Sequence, residues 1–144
     1  MTSKKGNELL IKEAAKLHGH MGPFLVIGVR MASLAKRILN LEEESSQLRI
    51  TLQVPLYTPF SCTIDGIQAT TKCTVGNQKL MIKRSAKRIE ACFKLDSSKI
   101  LRISVNEKIL DELTENISEG VASEELARRV ASMDDVQLFA TEKK

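Results

Sequence analysis

Both histidines of this chain fall in one heptapeptide, LHGHMGP (17–23), with a single glycine between them and a proline closing it. Imidazole is the commonest metal ligand. Helical positions two apart point about 200° away from each other, whereas an irregular segment can turn both rings toward one point. Gly22-Pro23 breaks a helix here, so a loop is expected, with Pro23 in the first turn of the helix that follows. On the two histidines alone the plainer reading stands first: His18 closes a helix, where a cation suits the dipole, and His20 packs in the loop. The sharper reading is a metal pair in search of further ligands, for which thiolate is the natural companion on zinc.

The thiolates to look to are Cys62 and Cys73, in SCTIDGIQATTKCTVGNQKL (61–80). An unbroken helix would hold their Cα atoms about 16 Å apart, too far to share one ion. Either the helix ends by Thr71 and the chain folds back, or the two thiols serve different places. A thiol at a helix start has its thiolate favoured by the dipole, which makes Cys62 the best single candidate for a ligand or nucleophile. The competing reading is a buried structural thiol. Asp65, on the same face, accepts hydrogen bonds from first-turn N–H groups or orients a ligand histidine. Gln68 and Thr74 satisfy local backbone groups. The chain has three cysteines and no CxxC pair, which in a reducing compartment fits free thiols or thiolate ligands rather than a disulfide framework.

The elements that must position these residues are legible from periodicity. Leu10, Ala14 and Leu17 make a helix over 7–17, and a second runs from Pro23 to about Asn40. In the second, Arg30, Ser33, Arg37 and Asn40 form one polar stripe and apolar residues cover the rest, so it is mostly buried. After an acidic, serine-containing turn (41–47), Leu48, Ile50, Leu52 and Val54 alternate with polar residues as a half-buried strand. A short helix covers TIDGIQAT. Further strands are expected at 80–83, at 88–95 with Cys92 out of phase with its apolar neighbours, and at 101–105. Asn106 caps a helix to about Asn116, Ser123 caps another to about Ala131, and Leu138–Thr141 is a last strand. Helices, then mostly strands, then helices give an α+β class: an N-terminal helix pair on a mostly antiparallel sheet, with C-terminal helices.

Composition narrows the function. At 144 residues the chain fits one domain, 1–144. Twenty-two Lys and Arg stand against 18 Asp and Glu, interspersed, with four Phe, one Tyr and no Trp, which argues against nucleic acid because stacking platforms need aromatics. The cluster Lys83, Arg84, Lys87 and Arg88 reads as a solvated strand connection. No apolar run approaches the roughly 20 residues of a membrane helix, and MTSKKGNE lacks the apolar core of a secretory signal, so a cytoplasmic protein without a membrane partner is expected.

Taken together, HGHMGPFLVIGVRMA and CTIDGIQATTKCTVGNQKL resemble the E-subunit family of formylmethanofuran dehydrogenase. Its members carry an HGHxCPG segment opening a long helix and later a CGVDAIQ…TGCTxGKGNL segment. SEELARRVASMDDVQLFATEK resembles the family's closing helix and strand, so the resemblance covers essentially the whole chain. Matching positions are His18 and His20, then Cys62, Asp65 and Gln68, then Cys73, Thr74 and Gly76. Gly22 stands where the family has a cysteine, Lys72 where it has a glycine, and Asn77-Gln78-Lys79 where it has KGN. The chain looks like the minimal form, without the C-terminal zinc ribbon of many members.

The resemblance implies an α+β, cytoplasmic, prokaryotic homodimer whose histidine loop and cysteine segment converge on a metal site, usually zinc. It also implies an association with formylmethanofuran dehydrogenase in one-carbon metabolism. The expected ligands are His20 and Cys62, completed by Cys73 or His18, on zinc or another divalent ion. Three function classes follow: a metal-binding accessory protein, a small thiol- or metal-dependent enzyme on a formyl or acyl substrate, and a metal-free interaction module.

Overall fold

Strict alternation builds the sheet of this protein, seen in a computed structural model that describes residues 4–41, 47–96 and 98–144. The chain runs through α1 (Lys4–His18), α2 (Pro23–Ile38), β1 (Leu48–Val54), a 3-10 turn at Phe60–Cys62, α3 (Thr63–Thr71) and β2 (Leu80–Arg84). It continues through β3 (Glu90–Leu95), β4 (Lys99–Val105), α4 (Glu107–Ser118), α5 (Ser123–Ser132), α6 (Asp135–Leu138) and β5 (Phe139–Lys143). The apolar residues Leu48, Ile50, Leu52, Val54, Ala91, Phe93, Leu101, Ile103 and Val105 are all buried and give the sheet its inner face. Cys92 points to the other face, out of phase as expected.

The strand order is β2-β1-β3-β4-β5. β1 pairs parallel to β2, and the remaining neighbours pair antiparallel. The class is therefore α+β, with the helix pair before the sheet and the remaining helices after it. Parallel strands cannot be joined by a tight turn and need a crossover. Here the crossover is the segment 55–79, which carries Cys62, Asp65, Gln68 and Cys73.

α2 is buried at every position from Pro23 to Ala35. Its apolar side chains share one cluster with the inner face of the sheet. Where α3 crosses α2, at Gly28 and Gly66, backbone meets backbone. A Cβ built on Gly28 would lie 2.3 Å from the Thr63 carbonyl oxygen and 3.0 Å from Gly66 Cα, and one on Gly66 would lie 2.3 Å from the Leu25 carbonyl oxygen. The two glycines thus let one backbone rest on the other.

Along the polar stripe of α2, Arg30 and Arg37 meet protein, whereas Asn40 is exposed and lies past the end of the helix at Ile38. Arg30, only 7% exposed, donates from Nη1 to the carbonyls of Val130 (2.9 Å) and Ala131 (3.1 Å), and from Nη2 to Met133 (2.7 Å) and the Asp135 carboxylate (3.0 Å). It closes the C-terminus of α5, whose last carbonyls have no partner within the helix. Arg37 reaches the other Asp135 oxygen at 2.5 Å. Burial works against the Asp135 carboxylate, but hydrogen bonds from Arg37 and Arg30, and their charges, hold it below its ordinary value.

Three local expectations need correction. The inward stripe of α1 is Ile11, Ala14 and His18, with Leu17 59% exposed, because His18 is drawn toward α3. Asn106 caps α4 as expected, accepting from the Lys108 N–H at 3.0 Å, whereas α5 is capped by Ala122 and Ser123 is its first helical residue. Leu138 closes α6 rather than opening the strand, since Asp134 and Gln137 form a capping box, with Gln137 Oε1 accepting from the Asp134 N–H at 2.9 Å. The acidic turn at 42–46 lies outside the described residues.

Candidate metal centre

α1 ends at His18, and Gly19 takes φ +102, a left-handed conformation that suits glycine and turns the chain sharply. That turn brings His20 back over His18, with ring centroids 4.6 Å apart. The crossover delivers Cys62 from the other side at the start of α3. His18, His20 and Cys62 each offer one donor atom, and these atoms lie within 4.8 Å of one another. His18 is half-buried, Cys62 buried and His20 exposed, so the group can be approached from the His20 side.

The orientation of His18 is fixed by a hydrogen-bond chain that begins just past the C-terminal end of α3. The Val75 N–H donates to Gln68 Oε1 at 3.0 Å, and Gln68 Nε2 donates to Asp65 Oδ1 at 3.2 Å. Asp65 Oδ2 then accepts from His18 Nδ1 at 2.7 Å. With Nδ1 donating, the neutral ring keeps its lone pair on Nε2. That atom is buried and has no hydrogen-bond partner. A buried polar atom without a partner is costly, and a histidine whose second nitrogen is held by a carboxylate is the usual arrangement around a metal ion.

Cys73 is not part of the group. It is buried at 2% exposure, with Sγ 3.6 Å from the Leu48 carbonyl of β1. α3 ends at Thr71, and Lys72 turns the chain with φ +62, but the turn takes Cys73 to the start of β1 rather than back toward Cys62. The rest of the segment is held by its own side chains. Asn77 Oδ1 accepts from the Thr74 and Lys79 N–H groups, and Asn77 Nδ2 donates to the Lys72 carbonyl at 2.7 Å.

The dipole expectation for Cys62 is overturned by its surroundings. Burial pushes the thiol up and the Asp65 carboxylate pushes it further, against a smaller lowering by a backbone hydrogen bond. Sequence reasoning took Ser123 for a cap and missed its contact with the site: its Oγ donates to the Met21 carbonyl at 3.1 Å and brings α5 against the histidine loop. A groove of about 510 Å³ opens beside it, lined among others by Ile11, Met21, Val26, Glu124 and Arg128.

The family described as FmdE, molybdenum formylmethanofuran dehydrogenase operon, matches residues 17–140. The chain belongs to the FmdE family. The match starts one residue before His18 and takes in the cysteine crossover and α5. Among curated proteins, this FmdE-family chain is 27% identical over 128 residues to a "Probable S-adenosyl-L-methionine-binding protein" of Archaeoglobus fulgidus. That alignment covers 89% of the chain but 35% of the relative, so the chain spans about a third of the relative's length. No helix among the described residues is long and apolar enough to cross a membrane.

Proposed function

We propose that this chain is a metal-binding accessory protein of the formylmethanofuran dehydrogenase type, holding one zinc or similar divalent ion through His18 Nε2, His20 and Cys62. The observation that carries the reading is the buried, unpartnered Nε2 of a histidine whose Nδ1 is already committed to Asp65. Two imidazoles and one thiolate suit zinc and its borderline neighbours better than magnesium or calcium, which take oxygen ligands. When bound, such an ion supplies Lewis acidity. The chain's own part is orientation: Gln68 braces Asp65, Asp65 aims His18, and the glycine contact between α2 and α3 sets how far Cys62 stands from the loop.

Elemental analysis of protein purified without added metal tests this, run beside His20→Ala and Cys62→Ser. Near-stoichiometric metal in the parent, lost in both variants, is the expected result. A parent that takes up none even after reconstitution removes the proposal and leaves the interaction-module reading. Association with the formylmethanofuran dehydrogenase complex, and pairing as a homodimer, are tested by copurification and by sedimentation.

A second reading rests on the groove beside Met21 and on the name its archaeal relative carries. The volume of the groove lies within the range of small-molecule sites. S-adenosyl-L-methionine binding by calorimetry supports that reading, and no heat at millimolar ligand removes it.

A further inference from the structure

The sheet has a second face, and it is polar. On that face Thr51 stands directly opposite Cys92, and Cys92 directly opposite Arg102. Neighbouring strands lie about 4.8 Å apart, so side chains in such a row touch or leave a gap according to their length. Thr51 and Cys92 are short, whereas Gln53, Lys83, Glu90 and Lys94 around them are long. Short side chains ringed by long ones leave a hollow, and a cavity of about 240 Å³ opens there. It is smaller than the roughly 300–1,000 Å³ of drug-sized sites, which suits a ligand of few heavy atoms. No aromatic side chain lines it, so nothing there stacks on a base.

Its charge is one-sided. Lys83 on β2, Lys94 on β3 and Arg102 on β4 are exposed and border the hollow from three strands. None of the three has a side-chain hydrogen bond or ion pair among the described residues. The carboxylates nearest them in register are engaged elsewhere. Glu142, directly opposite Arg102, lies 3.9 Å from Lys144, and Glu90, two residues before Cys92, lies 3.9 Å from Arg88. Three cations against one carboxylate leave the lining two positive charges in excess. A carboxylate ligand brings two oxygens and a single charge. A phosphate monoester brings close to two charges and three acceptor oxygens, one for each cation, and hydrogen bonds between ionised partners are the strong ones. Thr51 and Gln53, both half-buried, remain for hydroxyl groups on the rest of the molecule.

We propose that the outer face of the sheet binds a small hydroxylated phosphate monoester in this hollow, its phosphate oxygens on Lys83, Lys94 and Arg102 and its hydroxyls on Thr51 and Gln53. None of these residues belongs to the group formed by His18, His20 and Cys62, so the proposal stands or falls apart from the metal reading.

Calorimetric titration with glycerol 3-phosphate tests it, with inorganic phosphate, acetate and glycerol run beside it. Saturable binding is expected, tightest for the ester, weaker for inorganic phosphate, weaker still for acetate and absent for glycerol. Raising sodium chloride should weaken it, because exposed charges are screened. Lys94→Ala and Arg102→Ala should each weaken the ester about tenfold, the value of one hydrogen bond to a charged group. Both side chains are exposed, so the fold should persist, which circular dichroism checks. Glu90→Gln removes the one carboxylate of the lining and should tighten the ester, a gain that misfolding does not imitate. Cys92 reports the place: saturating ester should slow its labelling by iodoacetamide, read by peptide mass. No binding at millimolar ester overturns the proposal, as does acetate or inorganic phosphate binding more tightly than the ester. An affinity indifferent to both the Lys94 and Arg102 variants, or Cys92 labelling that bound ester leaves unchanged, overturns the position. Native protein whose Cys92 labels only in urea shows that the face is already covered, and overturns it too.

Discussion

Replacing Gly28 or Gly66 by alanine sets two effects of opposite sign against each other. Glycine in a helix interior is about 1 kcal/mol less favourable than alanine, so on propensity alone either change stabilises the protein. The packing says otherwise. A methyl on Gly28 would sit 2.3 Å from the Thr63 carbonyl oxygen, and one on Gly66 2.3 Å from that of Leu25. An ordinary carbon–oxygen contact is about 3.3 Å, so α2 and α3 must part by about 1 Å. Neither helix can yield freely, since α2 is buried against the sheet cluster and α3 is tied into a parallel crossover. Overpacking of this kind costs about 3 kcal/mol at the upper end of its usual range, which leaves about 2 kcal/mol of net destabilisation after the propensity gain. For a chain of this length that lowers the melting temperature by about 7 °C. The same parting draws Cys62 and Asp65 away from the histidine loop, so zinc affinity should fall in step. Once the first methyl has separated the helices, the second meets less resistance, and the double variant should cost well under the sum of the two singles. Melting curves of the metal-free variants and competition with a zinc-sensitive dye measure both. A Gly28→Ala protein that melts at or above the parent would refute the close crossing.

Asp65→Ala frees His18 Nδ1 and should weaken metal binding by roughly 10- to 100-fold while the fold persists, read by dye competition and circular dichroism. Asp135 governs acid stability: its carboxyl is held below the ordinary value in the folded state, so its contribution is present at neutral pH and lost as the pH falls through that lowered value. Asp135→Asn should therefore lower the urea midpoint at pH 7 and flatten its fall below about pH 4; an unchanged acid limb would argue against the pairing with Arg30 and Arg37. Cys62, buried and pushed up, should react with iodoacetamide more slowly than an ordinary cysteine at pH 7.5 and speed up in urea, whereas fast labelling of the native metal-free protein would favour a nucleophile.

What the sequence revealed was whatever a short window contains. Alternation at Leu48–Val54 and 88–95 marks strands because side chains on a pleat alternate by geometry, and HGHMGP marks a break because proline cannot continue a helix. Asn106 was legible as a cap for the same reason. The partners that give these residues their roles lie far along the chain. His18 meets Asp65 47 residues on, and Arg30 meets the carbonyls of Val130 to Met133 about a hundred residues on. No periodicity carries such a pairing. The fate of Cys73 turned on the direction the chain takes after Lys72, which spacing does not encode, and Leu17 looked inward only because the helical stripe was drawn one residue out of phase. The glycines of the crossing did leave a local sign, one in the interior of each helix, where glycine is otherwise disfavoured. Nothing local paired them.

The two ends of α5 are fastened to α2 and to the loop that leads into it: Ser123 bonds the Met21 carbonyl, two residues before α2, at one end, and Arg30 of α2 holds the carbonyls of Val130, Ala131 and Met133 at the other. The helices therefore run in the same direction, and α2 acts as a measuring stick for α5. Adding or removing one residue between Ser123 and Val130 would turn one end by about 100° and shift it about 1.5 Å, so that only one of the two fastenings could be kept. Changes in chain length should be absorbed readily in the connection around Gly120 and refused inside α5 and from Met133 to Asp135, where Arg30 holds both the Met133 carbonyl and the Asp135 carboxylate. The fold thus marks out where insertions can accumulate in relatives without disturbing the group formed by His18, His20 and Cys62.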